Sequence, residues 1–102
     1  MSAININKNN FHKEVIESDK PVLLDFWAPW CGPCRMVVRI VEVIARENPD
    51  IKGGKINVDE NPERASQFQV MSIPSLFVMR NCKIGNQSMG ARPKNQILAM
   101  VK

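Results

Sequence analysis

The fold is decided by one stretch of the chain, Pro21-Val22-Leu23-Leu24-Asp25-Phe26-Trp27-Ala28-Pro29-Trp30-Cys31-Gly32-Pro33-Cys34. The nearly continuous apolar run from Val22 to Trp27 predicts a strand that is covered on both faces, as in the middle of a helix-flanked sheet. The run from about Arg35 to Glu47 predicts a helix that is apolar over most of its circumference and largely buried. The two cysteines therefore stand at a strand-to-helix junction, where a Cys-X-X-Cys pair indicates redox chemistry more than metal binding.

Cys31 is the expected nucleophile of this pair, because a thiol attacks a disulfide only as its thiolate. Just before the helix, its sulfur would face unpaired amide N–H groups and the positive end of the helix dipole, which lower the pKa of the thiol. Cys34, one turn into the helix, is expected to be less exposed and to resolve the mixed disulfide. Pro33 suits a first helical turn, and Gly32 lets a target chain come close.

The ten residues from Asp25 to Cys34 resemble the active-site stretch of the thioredoxin family almost residue for residue. A second motif, Val70-Met71-Ser72-Ile73-Pro74-Ser75, resembles the family's loop in which the Ile-Pro bond is cis and faces the thiols. Met89-Gly90-Ala91 resembles the family's closing motif. The resemblance covers essentially the entire chain. It implies an α/β thioredoxin fold, with a central mixed five-stranded sheet flanked by four helices, as one domain over residues 1–102.

Asp25 is the one charge inside the predicted central strand. A carboxylate there is unfavourable unless it is paired or protonated, and desolvation should raise its pKa. A buried acid beneath a thiol pair is suited to exchange the proton of Cys34, although an Asp at a strand end can also simply cap a turn. In thioredoxins an Asp at this point has the proton-transfer role, with a Lys close by on the neighbouring strand. Lys55 matches that Lys.

The resemblance also implies a function, the reduction of disulfides in target proteins and with it the maintenance of cell redox homeostasis. Cys31 attacks the target disulfide, Cys34 resolves the mixed disulfide, and the two end as a Cys31–Cys34 disulfide. Gly32 and Pro33 between the cysteines resemble reducing thioredoxins and tune the redox behaviour of the pair. The expected platform for the target peptide consists of Trp30, Ile73, Pro74 and Gly90.

Partners and cofactors follow from the same resemblance. The implied electron donor is a thioredoxin reductase, and the implied targets include ribonucleotide reductase, peroxiredoxins and methionine sulfoxide reductases. We expect a monomer, although the sequence itself does not give the oligomeric state. No nucleotide fingerprint is present, so no flavin or nicotinamide cofactor is expected. The alternative from another class is a binding module, in which the apolar platform docks a partner protein whatever the redox state of the cysteines.

A zinc site is the other alternative for the cysteine pair. It requires two more ligands, and Cys82 and His12 are the remaining thiol and imidazole donors, neither of which belongs to a second pair. We therefore expect no metal. Cys82 follows Asn81 at a predicted hairpin turn, roughly 25 Å of extended strand beyond Pro74, too far to pair with the other cysteines. As an exposed thiol it could be glutathionylated, but an inert surface cysteine explains it equally well.

Composition bounds the remaining possibilities. The 102 residues are 44% hydrophobic, which is typical of a globular chain, and the longest apolar stretch is too short to cross a membrane. The net charge is +4, and residues 64–102 hold six Lys and Arg and no acid. These six charges are scattered, which favours a solvated basic face over nucleic-acid binding. The N-terminus shows no signal peptide, and three cysteines is an odd count, so we expect a reducing cytoplasm.

One position departs from the family. Thioredoxins usually kink the helix after the cysteines with a proline, and this chain has Arg39 at that point. The remaining predicted elements begin with an edge strand from Ala3 to Ile6 and a helix that is capped by Asn9 or Asn10 and runs to about Ser18. A strand from Lys55 to Val58 follows, and then a short helix with Asn61 as cap and Pro62 first, which runs to about Phe68. The chain is predicted to close with a hairpin of Leu76–Met79 and Ile84–Met89 and a last helix with Ile97, Leu98 and Val101 as its core face.

Overall fold

A mixed five-stranded sheet forms the centre of the molecule in the computed structural model, which describes residues 3–102. Its strands are β1 (Ala3–Asn5), β2 (Val22–Trp27), β3 (Lys52–Asn57), β4 (Ser75–Arg80) and β5 (Lys83–Met89), in the spatial order β1-β3-β2-β4-β5. The first three run parallel, β4 is antiparallel to β2, and β5 is antiparallel to β4. Met1 and Ser2, part of the N-terminus considered for a signal peptide, lie outside the described residues.

Four helices flank the sheet. They are a short π-helix (His12–Ile16), α1 (Gly32–Glu47), α2 (Pro62–Gln67) and α3 (Lys94–Val101). The predicted α/β class, with a mixed sheet of five strands and four helices, is therefore confirmed. Helix α1 continues without interruption through the exposed Arg39. Unlike proline, arginine retains its backbone N–H donor.

The central strand β2 is buried on both faces, as its apolar run predicts. Because side chains alternate along a strand, Val22, Leu24 and Phe26 point to the face covered by the π-helix and α2. Leu23 packs on the opposite face with the buried residues of α1 and α3. Asp25 has the same parity as Leu23 and so lies on the α1 face of the sheet.

All four phenylalanines of the chain, Phe11, Phe26, Phe68 and Phe77, meet on the face away from α1. The ring centre of Phe68 lies 5.2 Å from that of Phe26 and 5.1 Å from that of Phe77. Such aromatic contacts add to the stabilisation from buried area. The Arg64 guanidinium lies 3.6 Å from the Phe11 ring centre and covers the cluster from the solvent side.

Several predicted boundaries were wrong. The first helix is a single π-helical segment and ends before Ser18. Neither predicted cap operates there, because the side chain of Asn7 accepts from the backbone N–H groups of Asn9 and Asn10 and shapes the turn before it. Strand β3 begins at Lys52 rather than Lys55, since two glycines that carry no apolar signal extend it.

Two further details of the helices differ from expectation. Helix α1 buries one stripe of side chains rather than most of its circumference: Cys34, Val37, Val41 and Ile44 are buried, whereas Met36 is 49% exposed. Asn61 occupies the cap position of α2, but its side chain makes no capping bond to the helix. Instead its amide nitrogen donates to the carbonyl oxygen of Asn57, 3.0 Å away.

Gly54 on β3 is a site where any side chain meets the core. A Cβ atom there would lie 2.9 Å from Cγ1 of Ile6 and 3.1 Å from Cδ2 of Leu24. We expect Gly54→Ala to lower the free energy of unfolding by about 1–3 kcal/mol through overpacking, measured by urea denaturation. Gly85→Ala is the matched control, because its nearest contact would be an ordinary 3.5 Å to Arg80. Equal stability of the two variants would contradict the prediction.

Candidate functional site

The site lies at one edge of the sheet. There β2 and β3 end together, with Trp27 paired to Asn57. Strand β4 begins at the same edge, since Phe26 pairs with Ser75. Strand β5 ends beside it, because Ser75 in turn pairs with Met89. The three motifs that were separate in the sequence therefore converge on one edge.

Cys31 and Cys34 form a disulfide at the start of α1. Cys31 is the N-cap residue, and its Sγ accepts a hydrogen bond from the backbone N–H of Cys34 at 3.3 Å. Cys31 is 7% exposed, whereas Cys34 is fully buried, as predicted. Gly32 and Pro33 form the exposed first helical turn, and a Cβ atom at Gly32 would meet nothing within 4 Å. The sulfur of Cys31 thus lies against the amide donors of a helix N-terminus.

The second motif lies against this disulfide. The Ile73-Pro74 peptide bond is cis, as the resemblance implied. The carbonyl oxygen of Ile73 lies 3.9 Å from Sγ of Cys31. The carbonyl oxygen of Pro74 accepts from the backbone N–H of Gly90 at 2.8 Å. Gly90 has a φ of +87°, a conformation that favours glycine.

Trp30 presents an exposed apolar surface beside the disulfide. Its side chain is 69% exposed, and its indole Nε1 donates to a carboxylate oxygen of Asp59 at 3.0 Å. Trp30, Met71 and Ile73 line the same groove on this surface. Met71 is 88% exposed and adds to this apolar surface. The site is therefore open to an extended chain rather than enclosed.

Asp25 is fully buried, and among residues 3–102 neither of its carboxyl oxygens has a hydrogen-bond partner. Burial raises its pKa to about 7, and the positive charge of Lys55 opposes that rise. Lys55 is the register partner of Asp25 on β3, as predicted. Its ammonium, however, is bonded to Glu42 of α1, with Nζ 2.8 Å from Oε2. A carboxyl that titrates near pH 7 is suited to exchange protons at neutral pH.

Sequence reasoning missed two residues of this region, Glu42 and Asp59. Glu42 is one of the two acids on α1, and its place between the apolar Val41 and Val43 was the available signal that it approaches the sheet. Asp59 follows the end of β3, at the edge where parallel strands present functional groups. Each of them makes its contact with a residue of another element, and the sequence of a single segment does not reveal such a contact.

Cys82 is not part of the site. It is a free, exposed thiol in the turn between β4 and β5, at the opposite end of β4 from Ser75. Asn81 and Cys82 have φ values of +52° and +66°, so the turn keeps positive φ at both central residues without the usual glycine. The thiol donates to the carbonyl oxygen of Ile16 at 3.1 Å. The prediction that Cys82 cannot pair with the other cysteines is consistent with this placement.

Two further features of residues 3–102 concern membranes and metal ions. No helix there is long and apolar enough to cross a membrane. Within the same residues, His, Cys, Asp and Glu side chains form no group of three or more that could hold a metal ion.

A cysteine pair at a helix N-terminus, faced by a cis-proline loop on a mixed sheet, defines a thiol–disulfide oxidoreductase. The family model described as Thioredoxin matches residues 2–102. Thioredoxin 1 of Nostoc sp. is 45% identical over 97 residues, covering 94% of this chain and 91% of that protein. Thioredoxin of Alicyclobacillus acidocaldarius is 44% identical over 101 residues, covering 98% and 95%. Thioredoxin of Rickettsia prowazekii is 41% identical over 95 residues, covering 92% and 90%.

The chain belongs to the thioredoxin family. It is a dithiol–disulfide oxidoreductase that reduces disulfides in target proteins by reversible oxidation of Cys31 and Cys34. Its partners are, in general terms, proteins that carry disulfides and a reductase that returns the pair to the dithiol.

Proposed function

We propose that Cys31 is the nucleophile and Cys34 the resolving thiol of this oxidoreductase. The observation that carries the assignment is the hydrogen bond from the N–H of Cys34 to Sγ of Cys31, with Cys31 as N-cap of α1. An amide donor and the helix dipole both stabilise a thiolate at that sulfur. Of the two cysteines only Cys31 has exposed surface, so a target disulfide meets that residue first.

The proposed reaction has two steps. The Cys31 thiolate attacks one sulfur of the target disulfide, so that a mixed disulfide forms and the other target sulfur leaves as a thiolate. Cys34 then loses its proton and attacks Cys31, which forms the Cys31–Cys34 disulfide and releases the second target thiolate. The target gains two electrons, and the cysteine pair loses two.

Asp25 is the proposed acceptor of the Cys34 proton. Its pKa of about 7 gives it comparable populations of acid and base near neutral pH, which general acid–base catalysis requires. Its carboxyl is not engaged by another described residue and so remains available for proton exchange. In this proposal Lys55 tunes Asp25 from the neighbouring strand through its positive charge.

Trp30, Ile73, Pro74 and Gly90 are the proposed platform for the target. Pro74 has no N–H, and Gly90 carries no side chain, so the backbone at this edge is accessible to an extended peptide. The exposed indole of Trp30 supplies apolar contact beside the disulfide. Gly32 and Pro33 are proposed to tune the redox equilibrium from the exposed turn between the cysteines.

The finer partners are proposals as well. We assign thioredoxin reductase as the electron donor, and ribonucleotide reductase, peroxiredoxins and methionine sulfoxide reductases as targets. We also propose that the chain is a single domain that transports electrons in a reducing cytoplasm. Such a compartment suits a cysteine pair that must be returned to the dithiol after each turnover. These partners share the chemistry of an accessible disulfide or sulfur group.

The test is the reduction potential of the Cys31–Cys34 pair, measured on a Cys82→Ser background to leave one redox couple. Trp27 and Trp30 both precede the pair closely in sequence and serve as fluorescence reporters in buffers of defined thiol–disulfide ratio. We expect a single two-electron transition at a potential clearly below that of the glutathione couple, as a disulfide reductase requires.

The control is a Cys34→Ser, Cys82→Ser variant, in which no intramolecular disulfide can form and the transition should disappear. A potential well above the glutathione couple would indicate an oxidant or isomerase instead. Absence of any two-electron transition in the Cys82→Ser protein would overturn the redox assignment and leave the docking module or the metal site as the alternatives.

A further inference from the structure

Lys55 lies between two carboxyl groups and is bonded to one of them. Asp25 is its register partner on β2, and Glu42 approaches from α1. The ammonium lies 2.8 Å from Oε2 of Glu42, whereas neither oxygen of Asp25 accepts a hydrogen bond from the described residues. The lysine therefore affects Asp25 only through its field, and its contact is with Glu42.

Glu42 is itself held in place. Its other carboxylate oxygen, Oε1, accepts from the backbone N–H of Ala3 at 2.9 Å. The side chains of Lys55 and Glu42 are 16% and 27% exposed, so water screens this pair only partly. Glu42 is thus held by β1 through one oxygen, and its other oxygen holds the Lys55 ammonium.

Lys55 is the charged residue whose field acts on Asp25 and opposes the rise in its pKa. Strand β3 contributes Lys55 and helix α1 contributes Glu42, together with the Cys31–Cys34 disulfide at its start. Strand β4 faces Asp25 with the apolar Leu76. The positive charge of Lys55 favours the ionised form of Asp25, and the Glu42 carboxylate neutralises that charge.

We propose that Glu42 is a positioning residue, which holds the Lys55 ammonium at its own carboxylate and so limits how much of that charge the Asp25 carboxyl experiences. The proposal rests on the proton-transfer role given to Asp25 above and adds a residue that sets the pH at which that role operates. In this proposal Glu42 acts on Asp25 through Lys55.

The two partners of this ion pair should therefore shift Asp25 in opposite directions. With Glu42→Gln the unneutralised ammonium stabilises the Asp25 carboxylate, and the pKa of Asp25 should fall by roughly one pH unit. With Lys55→Met the attraction is lost, and the pKa should rise. Simple loss of an ion pair that only supports the fold would not give opposite signs.

The measurement is an NMR titration of the Asp25 carboxyl in the full-length oxidised protein, in which Cys31 and Cys34 do not titrate. Glu42→Gln keeps an oxygen that can accept from Ala3, and thermal melts check that each variant is folded. The double variant, Glu42→Gln with Lys55→Met, should match Lys55→Met alone. An additional downward shift in the double variant would show direct repulsion by Glu42 and overturn the proposal.

The matched control is Glu14→Gln. Glu14 pairs with Lys52 at 3.1 Å, and the two side chains are 24% and 20% exposed, close to the values for Glu42 and Lys55. This pair lies on the π-helix side of β3, because Nζ of Lys52 also donates to the carbonyl oxygen of Glu14. No change in the Asp25 titration is expected for it.

A second readout separates this inference from the proposed function. The pH profile of disulfide reduction by Glu42→Gln should move to lower pH together with the NMR titration. If the Asp25 pKa falls and the rate profile stays, the positioning role stands and the proton-transfer role of Asp25 fails. An unchanged Asp25 pKa in Glu42→Gln overturns the positioning role whatever the rate profile does.

Discussion

Replacement of Cys31 by serine is expected to reduce disulfide reduction to the background rate of the supplied dithiol. A serine hydroxyl does not ionise near neutral pH, so the helix N-terminus that stabilises a thiolate at this position has no anion to act on. The assay follows reduction of a protein disulfide substrate with dithiothreitol as electron source. Cys82→Ser, which removes the thiol remote from the site, should keep the full rate.

Companion measurements distinguish the roles of the two cysteines. Cys34→Ser should still attack and should accumulate the mixed disulfide with its substrate, visible as a covalent adduct in mass spectrometry. A Cys31→Ser protein that retained reduction would contradict the assignment of the nucleophile. Binding of a partner protein by Cys31→Ser, with reduction lost, would reveal docking by the apolar surface as a separate activity.

Asp25→Asn is expected to stabilise the protein at pH 8 and to have little effect at pH 4. The carboxyl has an ordinary pKa of 3.8 and a folded-state pKa of about 7, so the native state binds its proton up to a higher pH than the unfolded chain. Stability therefore falls as pH rises from about 4 to about 7, by an amount on the order of 4 kcal/mol for this group. Asparagine does not ionise and removes that loss.

Urea unfolding of the oxidised protein at pH 4 and pH 8 measures this difference. The exposed Glu60 supplies the control, because Glu60→Gln removes one acid without any buried charge. Its effect on the free energy of unfolding should be small at both pH values. An equal gain from Asp25→Asn at pH 4 and pH 8 would show that desolvation of the ionised carboxyl is not the cause.

The sequence predicted those features that single segments encode. The apolar run from Val22 to Trp27 is long enough for one strand and carries one charge, so both its burial and the burial of Asp25 follow from it. The cysteine spacing and Pro33 define the start of α1. The positions of Pro74 and Gly90 came instead from resemblance to the family, because an isolated Ile-Pro or Gly-Ala does not identify a functional loop.

The features that were missed depend on contacts between segments. Glu42 and Lys55 are 13 residues apart and belong to different elements, so their pairing depends on how α1 packs against β3. The bond between Trp30 and Asp59 likewise requires that β2 and β3 end side by side. Local rules erred at Asn10, since a turn stabilised by Asn7 competes with helix capping.

The separate position of Cys82 has a practical consequence for experiments with this protein. Since Cys31 and Cys34 are joined in the oxidised form, a thiol-counting reagent should find one thiol per oxidised chain and three per reduced chain. The same thiol offers a single attachment point for a fluorophore or spin label, at the end of β4 away from the active pair. Labelling in the oxidised form, followed by reduction, would yield a tagged protein whose dithiol is intact.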